Sequence, residues 1–162
     1  MVVVTVALWL LARPGGDRKW KLAAGGALGA AAVALIANRI IASIWHRDRP
    51  YDTHAISHPW TNSHDASFPS DHASASFGIA FAVLMFDRLV GSLFLLAAAI
   101  IGIGRIFIGA HYPADVGAGV LVGLASAILV VKLARPVIAL LVRVVERLTH
   151  PLLRPLWRAV TR

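Results

Sequence analysis

The sequence predicts an all-α protein: a polytopic membrane helical bundle of about five transmembrane helices, closed by a C-terminal amphipathic helix. Three observations predict it. Of 162 residues, 58% are hydrophobic and 15% charged, against roughly 45–50% and 25% in soluble domains. The apolar residues fall in runs that approach the ~17–25 residues needed to cross a bilayer. The 16 Lys and Arg against 8 Asp and Glu lie mostly between and after those runs, so anionic lipid rather than nucleic acid is the expected partner. This composition excludes a disordered chain. The absence of cysteine excludes a disulfide scaffold and a thiolate metal site. The length fits one integral membrane domain over 1–162, with a core at 20–134 and an interfacial amphipathic tail at 136–160.

Val2 to Ala12 is apolar but only about half a span. No basic segment precedes it, and Arg13-Pro14-Gly15-Gly16 is not a small-residue cleavage site, so a short first helix is expected rather than a signal peptide. Leu22 to Trp45 is a span rich in Ala and Gly, interrupted by Asn38 and Arg39. Ala73 to Phe86 is a shorter one, with Ser70 or Asp71 as its N-cap. Ser92 to Ile108 is apolar until Arg105, and Pro113 to Leu133 opens on a proline, which a first helical turn tolerates. The many small residues suit close helix packing in lipid. After Pro136, Arg143, Arg147, Arg154 and Arg158 recur on one helical face opposite Val137, Leu141, Val144 and Leu148. That stripe reads as an interfacial helix whose arginines reach lipid phosphates, broken or kinked at Pro151 and Pro155.

Charge gives the orientation. With the 13–21 segment, the Asp87-Arg88 turn and everything after Lys132 on one side, that side carries twelve basic residues and three acidic ones. The other side carries Arg39, Arg47, Arg49 and Arg105 with five acids, and six of the seven histidines. The positive-inside rule makes the first side cytoplasmic and turns the 46–72 and 106–114 loops outward. Three polar segments therefore meet at the outer end: Arg47-Asp48-Arg49-Pro50, Ser67-Phe68-Pro69-Ser70-Asp71-His72, and Arg105 through His111 to Asp115.

Each part suits phosphate chemistry. Arg49 and Arg105 offer bidentate forks to phosphoryl oxygens. Ser70, with the backbone amides of Asp71 and His72, forms an anion site at a helix start. His111 precedes Asp115 by four residues, so the carboxylate is expected to hold one ring nitrogen and leave the other as a nucleophile. His72 is placed to protonate the leaving oxygen. Arginine in an apolar run, as at position 105, is costly and points to function. His46, His54, His58 and His64 match no established zinc spacing, so no metal is expected. Tyr51, Trp60 and Phe68 read as interfacial aromatic anchors.

On these residues the chain resembles the type 2 phosphatidic acid phosphatase superfamily, whose pattern is K-x6-R-P, then P-S-G-H, then S-R-x5-H-x3-D. The matches are Arg49-Pro50, Pro69-Ser70-Asp71-His72, and Arg105 with His111 and Asp115 at full spacing. The similarity runs from about Leu35 to Lys132. Asn38, Ser-Phe-Pro-Ser-Asp-His and Gly-Ala-His-Tyr-Pro-Ala-Asp are most similar to bacterial undecaprenyl pyrophosphate phosphatases, which act on the outer face of the cytoplasmic membrane. The resemblance implies a multi-pass, cofactor-free phosphatase of a lipid phosphate or diphosphate. It implies His111 as nucleophile, Asp115 as its orienter, His72 as acid, and Arg49, Ser70 and Arg105 as phosphate binders. Three positions depart from the pattern: Ala42 stands for the first-motif lysine, Gly104 for the third-motif serine and Asp71 for glycine. Arg39, one turn deeper than Ala42, or Arg47 at the mouth is expected to replace the lost lysine charge. The Asp71 carboxylate is expected to point away from phosphate or pair with an arginine. Competing expectations are action on phosphatidic acid or phosphatidylglycerol phosphate, and a phospholipid-binding protein with an impaired site.

Overall fold

The computed structural model describes residues 1–11, 18–54 and 65–160. Within them the chain forms helices and connecting turns: α1 (Val2–Leu11), α2 (Arg18–Ile44), the single turn α3 (Pro50–Thr53), α4 (Asp71–Leu84), α5 (Arg88–Phe107), α6 (Pro113–Ile128) and α7 (Arg135–Val160). A π-helical turn at Leu129–Leu133 extends α6. Among the described residues, three stretches are long and apolar enough to cross a membrane: Lys19–Ile44, Arg88–Phe107 and Pro113–Leu133.

The predicted short span becomes α4, and its 14 residues reach only ~21 Å at 1.5 Å per residue. It sits at the centre of the bundle, packed against α2, α5 and α6. Ala73, Ser74, Gly78, Ile79, Ala80, Ala82 and Val83 are buried along it. A helix sheathed by its neighbours has no need to match the bilayer by itself. Its partners approach through small residues. Ala23, Ala27, Ala30 and Ala34 of α2, at helical spacing, are each at most 1% exposed. On the other flank, a Cβ built on Gly123 of α6 would stand 2.7 Å from both the Gly78 nitrogen and the Ser74 carbonyl oxygen. A Cβ on Gly119 would stand 2.7 Å from the Ala73 Cβ.

Such contacts let backbones approach where no hydrophobic drive exists between helix and lipid. Gly123→Ala should therefore push α6 from α4, at about 1–3 kcal/mol for overpacking, and lower both the melting temperature in detergent and turnover. Gly117→Ala, whose Cβ would meet nothing within 4 Å, should leave both unchanged. Equal behaviour of the two variants would contradict this packing.

The turn between α4 and α5 is fixed by Asp87, which caps α5 by accepting from the Val90 amide at 3.1 Å and pairs with Lys19 at 3.1 Å. A Cβ on Gly91 would lie 2.2 Å from the Leu84 Cα, so only glycine fits that crossing. The buried Lys21 ammonium pairs with Glu146 and ties α7 to α2. Leu140, Leu141, Val144, Val145 and Leu148 of α7 remain exposed, as an amphipathic helix requires. Against expectation α7 runs on through Pro151 and Pro155 rather than breaking there, since a proline removes one i→i−4 bond and a helix can continue across it. The Arg13–Gly16 segment, Trp60, His58 and His64 lie outside the described residues, as do the side chains of Arg154 and Arg158.

Candidate active site

The C-terminal end of α2, the N-termini of α4 and α6 and the C-terminal end of α5 share one end of the bundle, and the three polar segments meet there. Arg49 is 5% exposed. Its Nη1 donates to the Ala110 carbonyl at 3.2 Å and approaches His111 Nε2 at 3.4 Å. Its Nε donates to the Asp65 carbonyl at 3.1 Å, and its Nη2 pairs with the Asp65 carboxylate at 2.8 Å. Tyr51, expected at the interface, is instead buried, with its ring 5.9 Å from the Arg49 guanidinium carbon. The single turn α3 folds it inward beneath that arginine.

His111 owes its place to the turn after α5. Gly109 takes a left-handed φ of 68°, open to glycine at no steric cost. The Ala110 and His111 amides then return to the Arg105 carbonyl at 3.1 and 3.3 Å. The ring is 3% exposed as a residue, and its tautomer follows from its neighbours. Nδ1 lies 2.8 Å from the Ser67 carbonyl oxygen, which can only accept. Nε2 faces Arg49, which can only donate. The neutral ring thus carries its proton on Nδ1 and presents the Nε2 lone pair to the arginine side. Burial, then the Arg49 charge, lowers its pKa to about 4.

Asp115 does not hold this ring as the four-residue spacing predicted. Its Oδ2 is 3.9 Å from Nδ1, beyond hydrogen-bond reach. The carboxylate is already engaged: Oδ2 accepts from the Ser67 hydroxyl at 2.6 Å and the Tyr112 amide at 2.8 Å, and Oδ1 pairs with Arg47 at 3.0 Å. Closing α6 with the Tyr112 amide draws the carboxylate back along its own helix. Ser67 joins the two groups: its carbonyl holds His111 and its hydroxyl holds Asp115. Sequence reasoning gives Ser67 no role. Its position at the head of the Ser-Phe-Pro-Ser-Asp-His segment is the one available signal. Arg47, proposed from sequence as a substitute for the first-motif lysine, is committed to Asp115 and lies 4.1 Å from the Tyr112 ring centre.

Ser70 caps α4, accepting from the Ala73 amide at 3.4 Å, and its own amide donates to the Asp115 carbonyl at 3.1 Å. This bond fixes the start of α4 to the start of α6. Asp71 and His72 follow on the first turn, and His72 is exposed. Among the described residues the Asp71 carboxylate pairs with no arginine and accepts instead from the Asn38 side-chain amide at 2.7 Å. Arg39 is exposed and, among the described residues, makes no hydrogen bond or ion pair with this cluster. One residue is a 100° step on a helix, so it is Asn38 that faces the site. Among the described residues, the buried Nε of Arg105 has no hydrogen-bond partner. A buried cationic donor without a partner is costly in a resting protein and suits an anion that arrives. Among the described residues no group of three His, Asp or Glu can hold a metal. His46 pairs with exposed Asp48 at 3.3 Å, and His54 packs edge-on against Tyr112.

The end of the bundle thus gathers a buried imidazole with a directed lone pair, two arginines, a helix N-terminus and a second imidazole. Residues 23–138 match the PAP2 superfamily. The chain belongs to that superfamily. This PAP2 chain is 31% identical over 155 residues to the protein named undecaprenyl-diphosphatase BcrC of Bacillus subtilis, covering 93% of the chain and 77% of the relative. It is 34% identical over 96 residues to the putative undecaprenyl-diphosphatase YbjG of Escherichia coli, covering 59% and 48%. It is 33% identical over 122 residues to decaprenylphosphoryl-5-phosphoribose phosphatase of Mycobacterium tuberculosis, covering 75% and 64%. No solved structure gives a significant match. PAP2 membership and these relatives make the protein a membrane lipid phosphatase of bacterial type.

Proposed function

We propose that the protein hydrolyses undecaprenyl diphosphate to undecaprenyl phosphate, without a metal, through a phosphohistidine at His111. The observation that carries this is the His111 ring: buried, neutral, with Nε2 beside Arg49, while the buried Nε of Arg105 has no partner among the described residues. In this reading Nε2 attacks the terminal phosphorus, the bond from that phosphorus to the bridging oxygen breaks, and His72 protonates the departing lipid phosphate. Water then attacks the phosphohistidine, His72 takes its proton, and inorganic phosphate leaves. Arg49, Arg105, Ser70 and the α4 amides hold the equatorial oxygens, where most of the stabilisation arises.

A lipid substrate suits the setting. Asn38, at the level of the site, lies six residues before the end of α2, or ~9 Å down the helix. Ile40, Ile44, Trp45 and Phe107 stand exposed around that end, an apolar rim for a prenyl chain. In this reading the site faces the outer side of the cytoplasmic membrane, and the charge asymmetry of the sequence supports that orientation. The mycobacterial relative favours a second reading, a phosphate monoester on a prenyl-linked sugar.

Phosphate release in detergent with excess chelator, across undecaprenyl diphosphate, a prenyl-phosphate-linked sugar phosphate, phosphatidic acid and phosphatidylglycerol phosphate, separates these. The diphosphate should give the highest kcat/KM, unchanged by chelator. A tenfold preference for another lipid would reassign the substrate, and loss of turnover in chelator would overturn the metal-free mechanism.

A further inference from the structure

The buried Asn38 is outside the machinery described so far, yet its side chain has an unusual neighbour. Its Nδ2 donates to Asp71 Oδ1 at 2.7 Å, and its Oδ1 accepts from the Ser74 hydroxyl at 3.1 Å. The orientation of the amide is fixed, because a carboxylate can only accept and so must face the NH2. Asn38 is 2% exposed and Ser74 is fully buried. The three residues form a closed chain from α2 across the first turn of α4. Asp71 is the first residue of α4, between the Ser70 cap and His72, where the family pattern places glycine. A carboxylate there lies beside the Ser70 cap and on the same first turn as His72, next to the amides that would receive phosphate. Left free, it would repel the incoming charge.

We propose that Asn38 is a positioning residue that holds the Asp71 carboxylate out of the phosphate site, leaving the α4 amides to the substrate. The proposal rests on the phosphatase reading above. It explains how aspartate is tolerated in place of glycine: the glycine needs no restraint, and the aspartate is given one from the neighbouring helix. It also makes Asn38, rather than Arg39, the contribution of this turn of α2. The contribution is a hydrogen bond that turns a negative charge aside, in place of a positive charge that attracts.

The test is suppression. Asn38→Ala should raise KM for the lipid diphosphate and weaken inorganic phosphate binding, read as thermal stabilisation in detergent, each about tenfold from one unshielded like charge. The effect on kcat should be smaller. Adding Asp71→Gly should bring both back to within about threefold of wild type, since the charge to be restrained is gone. Ser74→Ala unhooks the Asn38 amide without altering α2, and should show a weaker shift with the same relief by Asp71→Gly, so the test survives if Asn38→Ala does not fold. A double variant no better than the single ones would mean that Asn38 only supports packing and would overturn the proposal. Phosphate binding without turnover of any lipid in wild type would count against the phosphatase reading alone. No phosphate binding in wild type would overturn both.

Discussion

His111→Ala should abolish phosphate release from the lipid substrate, by at least ~1000-fold in kcat, as expected for loss of a nucleophile. The reason is positional. The ring is the one group here whose lone pair is aimed by both neighbours, Ser67 behind Nδ1 and Arg49 before Nε2. The pH dependence tests the same point independently. Burial and the adjacent Arg49 depress the His111 pKa to about 4, so the neutral, nucleophilic ring persists down to that pH. A free histidine would already be half protonated near ~6.5. The acid limb of kcat/KM should therefore fall near pH 4, provided the substrate's own ionisation is accounted for. A limb at 6.5 would mean that His111 is solvated and not the aimed base seen here. Rapid acid-avoiding quench with radiolabelled diphosphate should trap a phosphoenzyme in wild type and none in His111→Ala. A labelled His111→Ala protein would move the nucleophile elsewhere.

Much of this was legible in the sequence because the signals are local. A proline or an aspartate at a helix start, a run of apolar residues, and an arginine at the end of such a run each report on their own turn. That is why α2, α5 and α6 and the meeting of Arg49, Ser70, His72, Arg105 and His111 could be read directly. The rest depends on helix rotation or on main-chain atoms. Asn38 and Arg39 are adjacent and both polar, and only packing decides that Asn38 is 2% exposed and Arg39 exposed. The bond from His111 to Ser67 goes to a carbonyl oxygen, which every residue possesses and no motif records. Asp115 is read from spacing as a partner of His111, yet the same four-residue spacing lets it close its own helix start at Tyr112, and that bond prevails. The Asp65 carboxylate on Arg49 follows a segment whose path no periodicity announces.

The indirect arrangement of Asp115 yields the second large effect. Asp115→Asn should lower kcat by about 100- to 1000-fold with little change in KM, because a displacement of ~1 Å at a reacting group can cost ~100-fold. Its carboxylate is fully buried and accepts three bonds, from Ser67, Tyr112 and Arg47. The asparagine supplies one oxygen in place of two and turns an NH2 toward Arg47 or the Ser67 hydroxyl. What moves is then the Ser67 peptide, and with it the carbonyl that orients His111. If Asp115 held the ring directly, Ser67→Ala would be nearly silent. Through Ser67, the serine variant should lose about tenfold, and the double variant should be no slower than Asp115→Asn alone, since both break one chain of contacts. Additive losses would mean that the carboxylate acts on His111 by a route of its own. Ser67→Thr, which keeps the hydroxyl and the carbonyl, should recover most of the rate if the buried site admits its methyl group. Arg47→Ala should cost less than either, because its guanidinium is partly exposed and water can take over its charge. This ranking, Asp115 above Ser67 above Arg47, follows from how much each substitution releases: the carboxylate holds Ser67, Tyr112 and Arg47 together, the serine hydroxyl supplies one of those bonds, and Arg47 supplies one that water can replace.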